Sequence, residues 1–264
     1  MTGMRTITIV AAFLLEASCS NDAGVIRLPS WRIQMAGHEG VIMGSLHSTP
    51  VGMRQRLPDF PRGWPIYLEG VKSQEEAAGR DFVSNALKGP LTDGPLEVRA
   101  RSVLKGQPGV AGLRTWALAY LVSSRHDKAQ TLGDGPGTEA LIDPEGIAAP
   151  LEDPGLVYGD LAGMPLTDQR EYLRQALSGT ASCRQDLASG SLDEEALAAC
   201  GSRPLRYLTT FLGRRNERMC SSAASALRRG NAVIAVGAAH LFGPDSLIAC
   251  LKAKGAQITN ISRA

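Results

Sequence analysis

Residues 233–240 read Val-Ile-Ala-Val-Gly-Ala-Ala-His, an apolar run that ends in the pattern Gly-x-x-His. A short apolar run of this kind is typical of a buried strand. The glycine lets the backbone turn sharply where the strand ends, which places the imidazole of His240 at the rim of a sheet. Residues 41–47, Val-Ile-Met-Gly-Ser-Leu-His, follow the same plan and end at His47. The two stretches predict a sheet with two imidazoles at one rim.

Glu69 is the third candidate, because it ends another short apolar strand pattern, Pro-Ile-Tyr-Leu-Glu-Gly at residues 65–70. Two imidazoles and one carboxylate can hold a catalytic divalent metal ion and still leave positions open for water. We therefore predict a metal site formed by His47, Glu69 and His240. Glu69 could act as a general base instead of a ligand, and the sequence leaves both roles open. The structural alternative is that both histidines are satisfied side chains at strand ends.

A basic segment, Arg-Arg-Asn-Glu-Arg-Met at residues 214–219, lies in a predicted helix before the last strands. Within a cleft, the guanidinium of Arg215 could hold a substrate carboxylate or an oxyanion. Asn216 could stand beside it as a neutral donor. The alternative is an ordinary solvated helix face.

Hydrophobic periodicity predicts strands at both ends of the chain and helices between them. The expected strands are 31–35, 41–43, 66–68, 232–236 and 257–261, and the expected helices are 73–87, 112–123, 168–177, 204–227 and 245–254. Gly-Pro and Pro-Gly dipeptides, such as 94–95 and 154–155, predict loops in the middle of the chain. The expected class is α+β: a mixed central sheet formed by the N- and C-terminal strands, with a helical middle, in a single domain over residues 23–264.

The composition is that of an ordinary globular domain: 264 residues, 44% hydrophobic, 20% charged, with a formal net charge of +2. This balance gives no reason to expect a nucleic-acid partner. Charge is nevertheless uneven, since residues 133–200 hold 13 acidic and 3 basic residues, and residues 201–264 hold 10 basic and 2 acidic. We expect these segments to face each other or to form opposite walls of a cleft, with a solvated dipolar surface as the alternative.

Residues 1–22 have the layout of a secretory signal peptide, with Arg5 before an apolar run from Ile7 to Leu15 and small residues after it. We expect an exported protein of the periplasm or cell envelope. Lipidation at Cys19 is the less favoured alternative, because Glu16 puts a charge where lipoprotein signals have an apolar residue. No later stretch is long and apolar enough to cross a membrane, so no mature transmembrane helix is expected.

Four cysteines remain after the signal peptide, and an even number in an oxidising compartment suggests two disulfides. Three pairings are possible, of which we favour Cys183–Cys200 and Cys220–Cys250. The first would close a short polar excursion, and the second would join two C-terminal helices. Four buried free thiols are the alternative.

Six short motifs are similar to those of one family: Met-Gly-Ser-Leu-His at 43–47, Tyr-Leu-Glu at 67–69, Gly-Thr-Glu-Ala-Leu at 137–141, Leu-Glu at 151–152, Arg-Asn-Glu-Arg-Met at 215–219 and Val-Gly-Ala-Ala-His-Leu-Phe-Gly-Pro-Asp at 236–245. The chain thus resembles the TraB/PrgY/GumN family, whose animal relatives are the TIKI ectodomains. The last motif is the most specific of the six.

The resemblance implies an α+β domain of the EreA/ChaN-like kind, named after erythromycin esterases and a haem-binding protein. It implies a divalent metal ion at His47, Glu69 and His240, manganese or cobalt as in the TIKI peptidases, with zinc as a further candidate. Arg215 and Asn216 match an Arg-Asn pair of the family, which implies a role toward the substrate or the transition state.

Our leading functional hypothesis is a metal-dependent hydrolase, peptidase-like, that acts on a peptide or small-molecule substrate in the cell envelope. The alternative is a non-catalytic protein that binds a peptide, a pheromone or haem in the same cleft. The sequence leaves the oligomeric state open.

Overall fold

The computed structural model describes residues 24–46, 54–71, 74–88, 91–130, 136–178 and 206–262. Within these ranges the fold is α+β, as expected. A mixed sheet of six strands is formed mainly by N- and C-terminal segments, and most of the helices come from the middle of the chain.

The described strands are β1 Val25–Arg27, β2 Ser30–Met35, β3 His38–Ser45, β4 Arg54–Arg56, β5 Ile66–Leu68, β6 Ala149–Pro150, β7 Ala232–Gly237 and β8 Gln257–Asn260. The six-stranded sheet has the order β6-β5-β7-β3-β2-β8, and β1 pairs with β4 in a separate two-stranded sheet. β6, β5, β7 and β3 run parallel to one another, whereas β2 is antiparallel to both β3 and β8. All five expected strands are therefore present, with ends shifted by at most three residues.

Eight α-helices lie within the described ranges, and the five expected helices are among them. The helices are α1 Glu75–Ala86, α2 Pro95–Val103, α3 Thr115–Gln130, α4 Thr138–Ile142, α5 Pro154–Gly163, α6 Leu166–Ser178, α7 Arg206–Arg229 and α8 Leu247–Ala253. A short 3₁₀ helix, Ala238–His240, follows β7 directly.

The loops expected at residues 94–95 and 154–155 are wrong, because α2 and α5 begin there. Pro95 and Pro154 occupy the first turn of these helices, where the missing N–H of proline would have had no partner. At α5 the carboxylate of Asp153 also accepts a hydrogen bond from the N–H of Gly155 at 2.8 Å. A Gly-Pro or Pro-Gly dipeptide interrupts a helix when it lies inside one, but in α2 and α5 it lies at the helix start.

One face of the six-stranded sheet is covered by α7 and α8. We call the sheet together with these two helices the sheet body. The buried face of α7 contributes the adjacent Met219 and Cys220, then Ala223 and Leu227 at the helical spacing of three or four residues. A disulfide joins Cys220 of α7 to Cys250 of α8, with 6.2 Å between their Cα atoms. This is the second of the expected pairs; Cys183 and Cys200 lie outside the described residues.

The remaining long helices, α1, α2, α3, α5 and α6, pack on each other and form a helical lobe with its own apolar core. Trp116, Leu118 and Leu173 are fully buried in it. An aromatic cluster of Phe82, Trp116, Tyr120 and Tyr158 lies at the side of the lobe that faces the sheet body, with ring centroids 5.4–6.2 Å apart.

The acidic and basic segments of the chain do face each other. Asp160 and Glu152 from the acidic segment form ion pairs with Arg214, Arg215 and Arg218 of α7. Among the described helices, none has the length and apolarity needed to cross a membrane. The signal peptide expected at residues 1–22 lies outside the described part of the chain and stays a prediction.

Candidate functional site

The candidate site lies at the edge of the sheet where three parallel strands end. β7 is flanked by β3 and β5, and the register pairs Ser45 with Gly237 and Leu68 with Ala235. Glu69 follows β5 directly, and His240 follows β7 in the 3₁₀ helix. His47 comes two residues after the end of β3, but it lies outside the described residues, so its place in the site stays a prediction.

Two glycines allow the close approach of backbone and side chains at this edge. A Cβ atom at Gly44 would come within 2.7 Å of the Pro29 ring and 3.1 Å of the Ala238 side chain. A Cβ atom at Gly237 would lie 3.2 Å from Oε2 of Glu69. A side chain at residue 44 would therefore collide with the Pro29 ring, and one at residue 237 would require a small shift of the Glu69 carboxylate.

The carboxylate of Glu69 contacts three different groups. Its Oε2 accepts a hydrogen bond from the N–H of Gly237 at 2.8 Å. Its Oε1 accepts a short hydrogen bond from Nη2 of Arg215 and lies 3.6 Å from Nε2 of His240. The side chain is 22% exposed, so it remains accessible from outside while it is held on both oxygens.

These partners keep Glu69 ionised. Burial opposes the negative charge, but the contacts with His240 outweigh it, together with the charge of Arg215 and the N–H of Gly237. The pKa of Glu69 is therefore well below its ordinary value. A carboxylate that stays ionised at neutral pH suits a metal ligand better than a general base, whose pKa should lie near the working pH.

Arg215 is held between Glu69 and a second carboxylate, Glu152, which sequence reasoning did not single out as a site residue. Glu152 is only 1% exposed at its side chain and accepts from Nε of Arg215 at 2.8 Å. It also accepts from Nε and Nη2 of Arg218 at 3.0 and 2.7 Å. Arg218 in turn pairs with Asp160 at 2.7 Å. Glu152 thus fixes the direction in which Arg215 points.

Burial opposes the positive charge of Arg215, but the neighbouring charges of Glu69 and Glu152 outweigh that cost and raise the pKa of its guanidinium. The Cζ atom of Arg215 also lies 5.4 Å from the ring centroid of Phe211, at the distance of a cation–π contact. Its side chain is 12% exposed, and this exposed part borders the cleft described below.

Asn216 and His240 form a buried pair behind Glu69. Oδ1 of Asn216 lies 2.7 Å from Nδ1 of His240, and Nδ2 of Asn216 donates to the carbonyl oxygen of Asp245 at 2.7 Å. The two residues are 4% and 3% exposed. Both ends of the Asn216 amide therefore bind groups inside the protein.

A cleft of about 960 Å³ lies between the strand ends, the helical lobe and the segment around α4. Glu69, Glu152 and Arg215 border it from the sheet body, and Tyr120 and Tyr158 border it from the helical lobe. Three further carboxylates, Glu139, Asp143 and Glu145, line the side of α4 and the loop after it. Carboxylates thus outnumber arginines in the lining.

The described residues supply two of the three expected metal ligands. No group of three His, Cys, Asp or Glu side chains that could hold a metal ion occurs within the described ranges, and the third expected ligand is the undescribed His47. Glu69 offers a carboxylate oxygen and His240 a ring nitrogen, and these two atoms face each other at 3.6 Å. An oxygen and an imidazole nitrogen suit manganese, cobalt or zinc. These two donors are the part of such a site that the described residues contain.

The protein is thus an α+β protein with a candidate catalytic or binding centre where its parallel strands end. A carboxylate, an arginine and a buried Asn–His pair lie together there beside a cleft. The sequence model of the TraB/PrgY/gumN family matches residues 96–260. The chain belongs to this family. The matched region includes Glu152, Arg215, Asn216 and His240, and it begins after Glu69. No significant match was found among curated proteins or among solved structures.

Proposed function

We propose that the protein is a divalent-metal-dependent hydrolase of the cell envelope that cleaves peptides at the strand-end site. The observation that carries the proposal is the facing pair of the Glu69 carboxylate and the His240 ring, 3.6 Å apart and next to a cleft. We expect His47 to complete the site, because β3 ends beside β7 and leads directly to it.

The residues of the chain have separate tasks in this proposal. Glu69 and His240 would hold the ion, which would supply a water of lowered pKa and a Lewis acid for a carbonyl group. Arg215 presents a fixed positive charge to the cleft, where it can bind a substrate carboxylate or the oxyanion that develops in the reaction. Glu152 fixes the guanidinium of Arg215, because it binds Nε while Nη2 remains directed at Glu69.

The cleft lining favours a substrate that carries positive charge. Glu139, Asp143 and Glu145 contribute negative charge along one side of the cleft. The faces of Tyr120 and Tyr158 on the other side can pack against apolar groups or cations. A peptide with lysine or arginine near the bond that is cut is therefore the first substrate to test.

The experiment measures the metal content of the purified chain after chelation and reloading with Mn²⁺, Co²⁺ or Zn²⁺. We expect about one ion per chain in the wild type and none in His47→Ala or His240→Ala, because each variant lacks a ligand. His38→Ala is the matched control, since His38 begins β3 at the end of the sheet opposite to the site. Equal metal content in all four proteins would overturn the proposal.

A second measurement separates catalysis from binding. Fluorescence-quenched peptides with central lysines are incubated with the reloaded wild type, and products are identified by mass spectrometry. Cleavage that requires the metal and is absent in His240→Ala supports the hydrolase. Tight peptide binding, or a haem absorption band on titration, without any cleavage product would instead support the non-catalytic alternative.

A further inference from the structure

We propose that Asn216 is a positioning residue that fixes a proton on Nδ1 of His240, so that Nε2 is the ring nitrogen available to a cation beside Glu69. The assignment of the proton follows from hydrogen bonds within the chain and does not require a metal. Only its consequence for metal affinity rests on the proposed function.

The orientation of the Asn216 amide follows from its hydrogen bond to the carbonyl oxygen of Asp245, which precedes α8. A side-chain amide has one accepting oxygen and one donating nitrogen, and its orientation is assigned from the hydrogen bonds around it. The carbonyl oxygen of Asp245 can only accept, so the amide group that lies 2.7 Å from it must be the NH₂ group. Oδ1 therefore faces His240.

The hydrogen bond between Asn216 and His240 determines which ring nitrogen carries the proton. Oδ1 of Asn216 can only accept, and it lies 2.7 Å from Nδ1 of His240. A hydrogen bond at this distance requires a proton on Nδ1. In the neutral ring the other nitrogen, Nε2, must then carry the lone pair.

Because Asn216 and His240 are both buried, their hydrogen bonds are difficult to replace with bonds to water. Asn216 and His240 are almost fully buried, so water cannot easily take over either hydrogen bond. Asn216 lies on the buried face of α7, and the Cys220–Cys250 disulfide holds α7 against α8 one turn further along. The amide is thus held at both ends by fixed parts of the sheet body.

The position of Nε2 opposite Glu69 determines which charge is favoured between the two side chains. Nε2 lies 3.6 Å from Oε1 of Glu69, and a lone pair opposite a carboxylate oxygen is repulsive. The position between these atoms therefore favours a positive charge, which is either a second proton on the ring or a bound cation. Asn216 acts in the way that outer hydrogen-bond partners of metal-binding histidines do, by choosing which nitrogen faces the ion.

The test reads the histidine nitrogens of the metal-free protein by long-range ¹H–¹⁵N correlation NMR at high pH, where the rings are neutral. The chain has four histidines, and the His240→Gln variant identifies the signals of His240. We expect the proton on Nδ1 in the wild type. We expect it on Nε2 in Asn216→Leu, because imidazole in water favours that form and leucine accepts no hydrogen bond.

Asn216→Asp keeps an oxygen that accepts from Nδ1, but it lacks the NH₂ group that donates to the carbonyl oxygen of Asp245. It should keep the wild-type proton position, which a merely structural loss at residue 216 would not explain. A wild-type protein with the His240 proton on Nε2, or Asn216→Leu with an unchanged proton position, would overturn the proposal even if the metal site is correct.

Metal affinity gives the second readout. We expect Zn²⁺ or Mn²⁺ affinity to fall about 10- to 100-fold in Asn216→Leu and to be largely retained in Asn216→Asp. Equal affinity in wild type and Asn216→Leu would contradict the consequence for metal binding. If the wild type binds no metal at all, the proposed function fails, and the NMR result still decides the role of Asn216.

Discussion

Glu69 in the sheet body and Glu97 in the helical lobe are both carboxylates paired with an arginine, but their surroundings differ. Oε1 of Glu97 accepts from Thr92 in the loop before α2, from Thr115 of α3 and from Arg170 of α6 at 3.0–3.1 Å. Its side chain is 1% exposed and does not line the cleft beside Glu69. Glu69 is partly open to the cleft and faces a second titratable side chain, His240.

The difference shows that a buried ion pair is by itself a structural feature. Glu97 joins three helices of the lobe through Oε1, and its buried Oε2 has no hydrogen-bond partner among the described residues. At Glu69 both carboxylate oxygens are bound, and the partly exposed carboxylate lies beside the cleft, 3.6 Å from the buried ring of His240. The following three predictions test this contrast, from the largest expected effect to the smallest.

The first prediction concerns the disulfide, which occurs in the sheet body, whereas residues 74–178 contain no cysteine. We expect the double variant Cys220→Ala/Cys250→Ala to lose about 3–4 kcal/mol of unfolding free energy, because the bond closes a loop of 30 residues. Urea denaturation measures the loss. Hydrogen exchange should rise in α7 and α8 and remain unchanged in α3; equal increases in both regions would contradict the division into sheet body and lobe.

The second prediction compares the two fully buried carboxylates by the same substitution. Glu152→Gln leaves Arg215 and Arg218 without their shared counter-charge, and we expect a loss of about 3 kcal/mol, since Glu69 and Asp160 remain as partners. Glu97→Gln should cost only about 1–2 kcal/mol, because the side chain of Arg170 is 41% exposed and water can solvate it. Urea unfolding of both variants decides the order, and a larger loss in Glu97→Gln would refute it.

The third prediction concerns the pH dependence of stability. The folded state lowers the pKa of Glu69 below its unfolded value of 4.5. Its contribution is therefore fully present above pH 4.5 and is lost as the pH falls below that value. In Glu69→Gln we expect the difference in unfolding free energy between pH 7 and pH 3 to shrink by about 1–3 kcal/mol.

Glu97→Gln is the comparison for this measurement. Burial opposes ionisation of Glu97, but hydrogen bonds from its own N–H, Arg170, Thr115 and Thr92 outweigh it and lower the pKa. The sign of the effect is the same, and we expect it to be smaller because only one of these partners is charged. An acid profile of Glu69→Gln identical to that of the wild type would show that the Glu69 contacts contribute nothing to folding.

The sheet was predictable from the sequence because its central strands are continuous apolar runs. β5 and β7 were predicted within one residue at their ends, and the glycines mark where the strands stop. The helices α2 and α5 were missed because a proline after glycine or aspartate is typical of both a turn and a helix start. Which of the two forms depends on packing that the local pattern does not contain.

The site was predictable only in part. Glu69, Arg215, Asn216 and His240 were expected and lie together, because each is adjacent to a strand end or on the helix that covers the sheet. Glu152 was missed, since a single acidic residue in a polar segment carries no periodic signal. Glu152 belongs to the site because it binds Arg215 and Arg218, which lie more than sixty positions later in the chain. The motif Leu-Glu at 151–152 was the one local sign of it.

The central position of β7 has a consequence for the order in which the sheet can form. β7 lies between β5 and β3, yet it follows both of them in the chain and comes after the helical lobe. Until β7 pairs, the β2–β3 hairpin and the β5–β6 pair have no common partner, and non-local pairing of this kind is slow. The edge that carries Glu69 and His240 therefore forms only when β7 closes the gap between the two halves of the sheet.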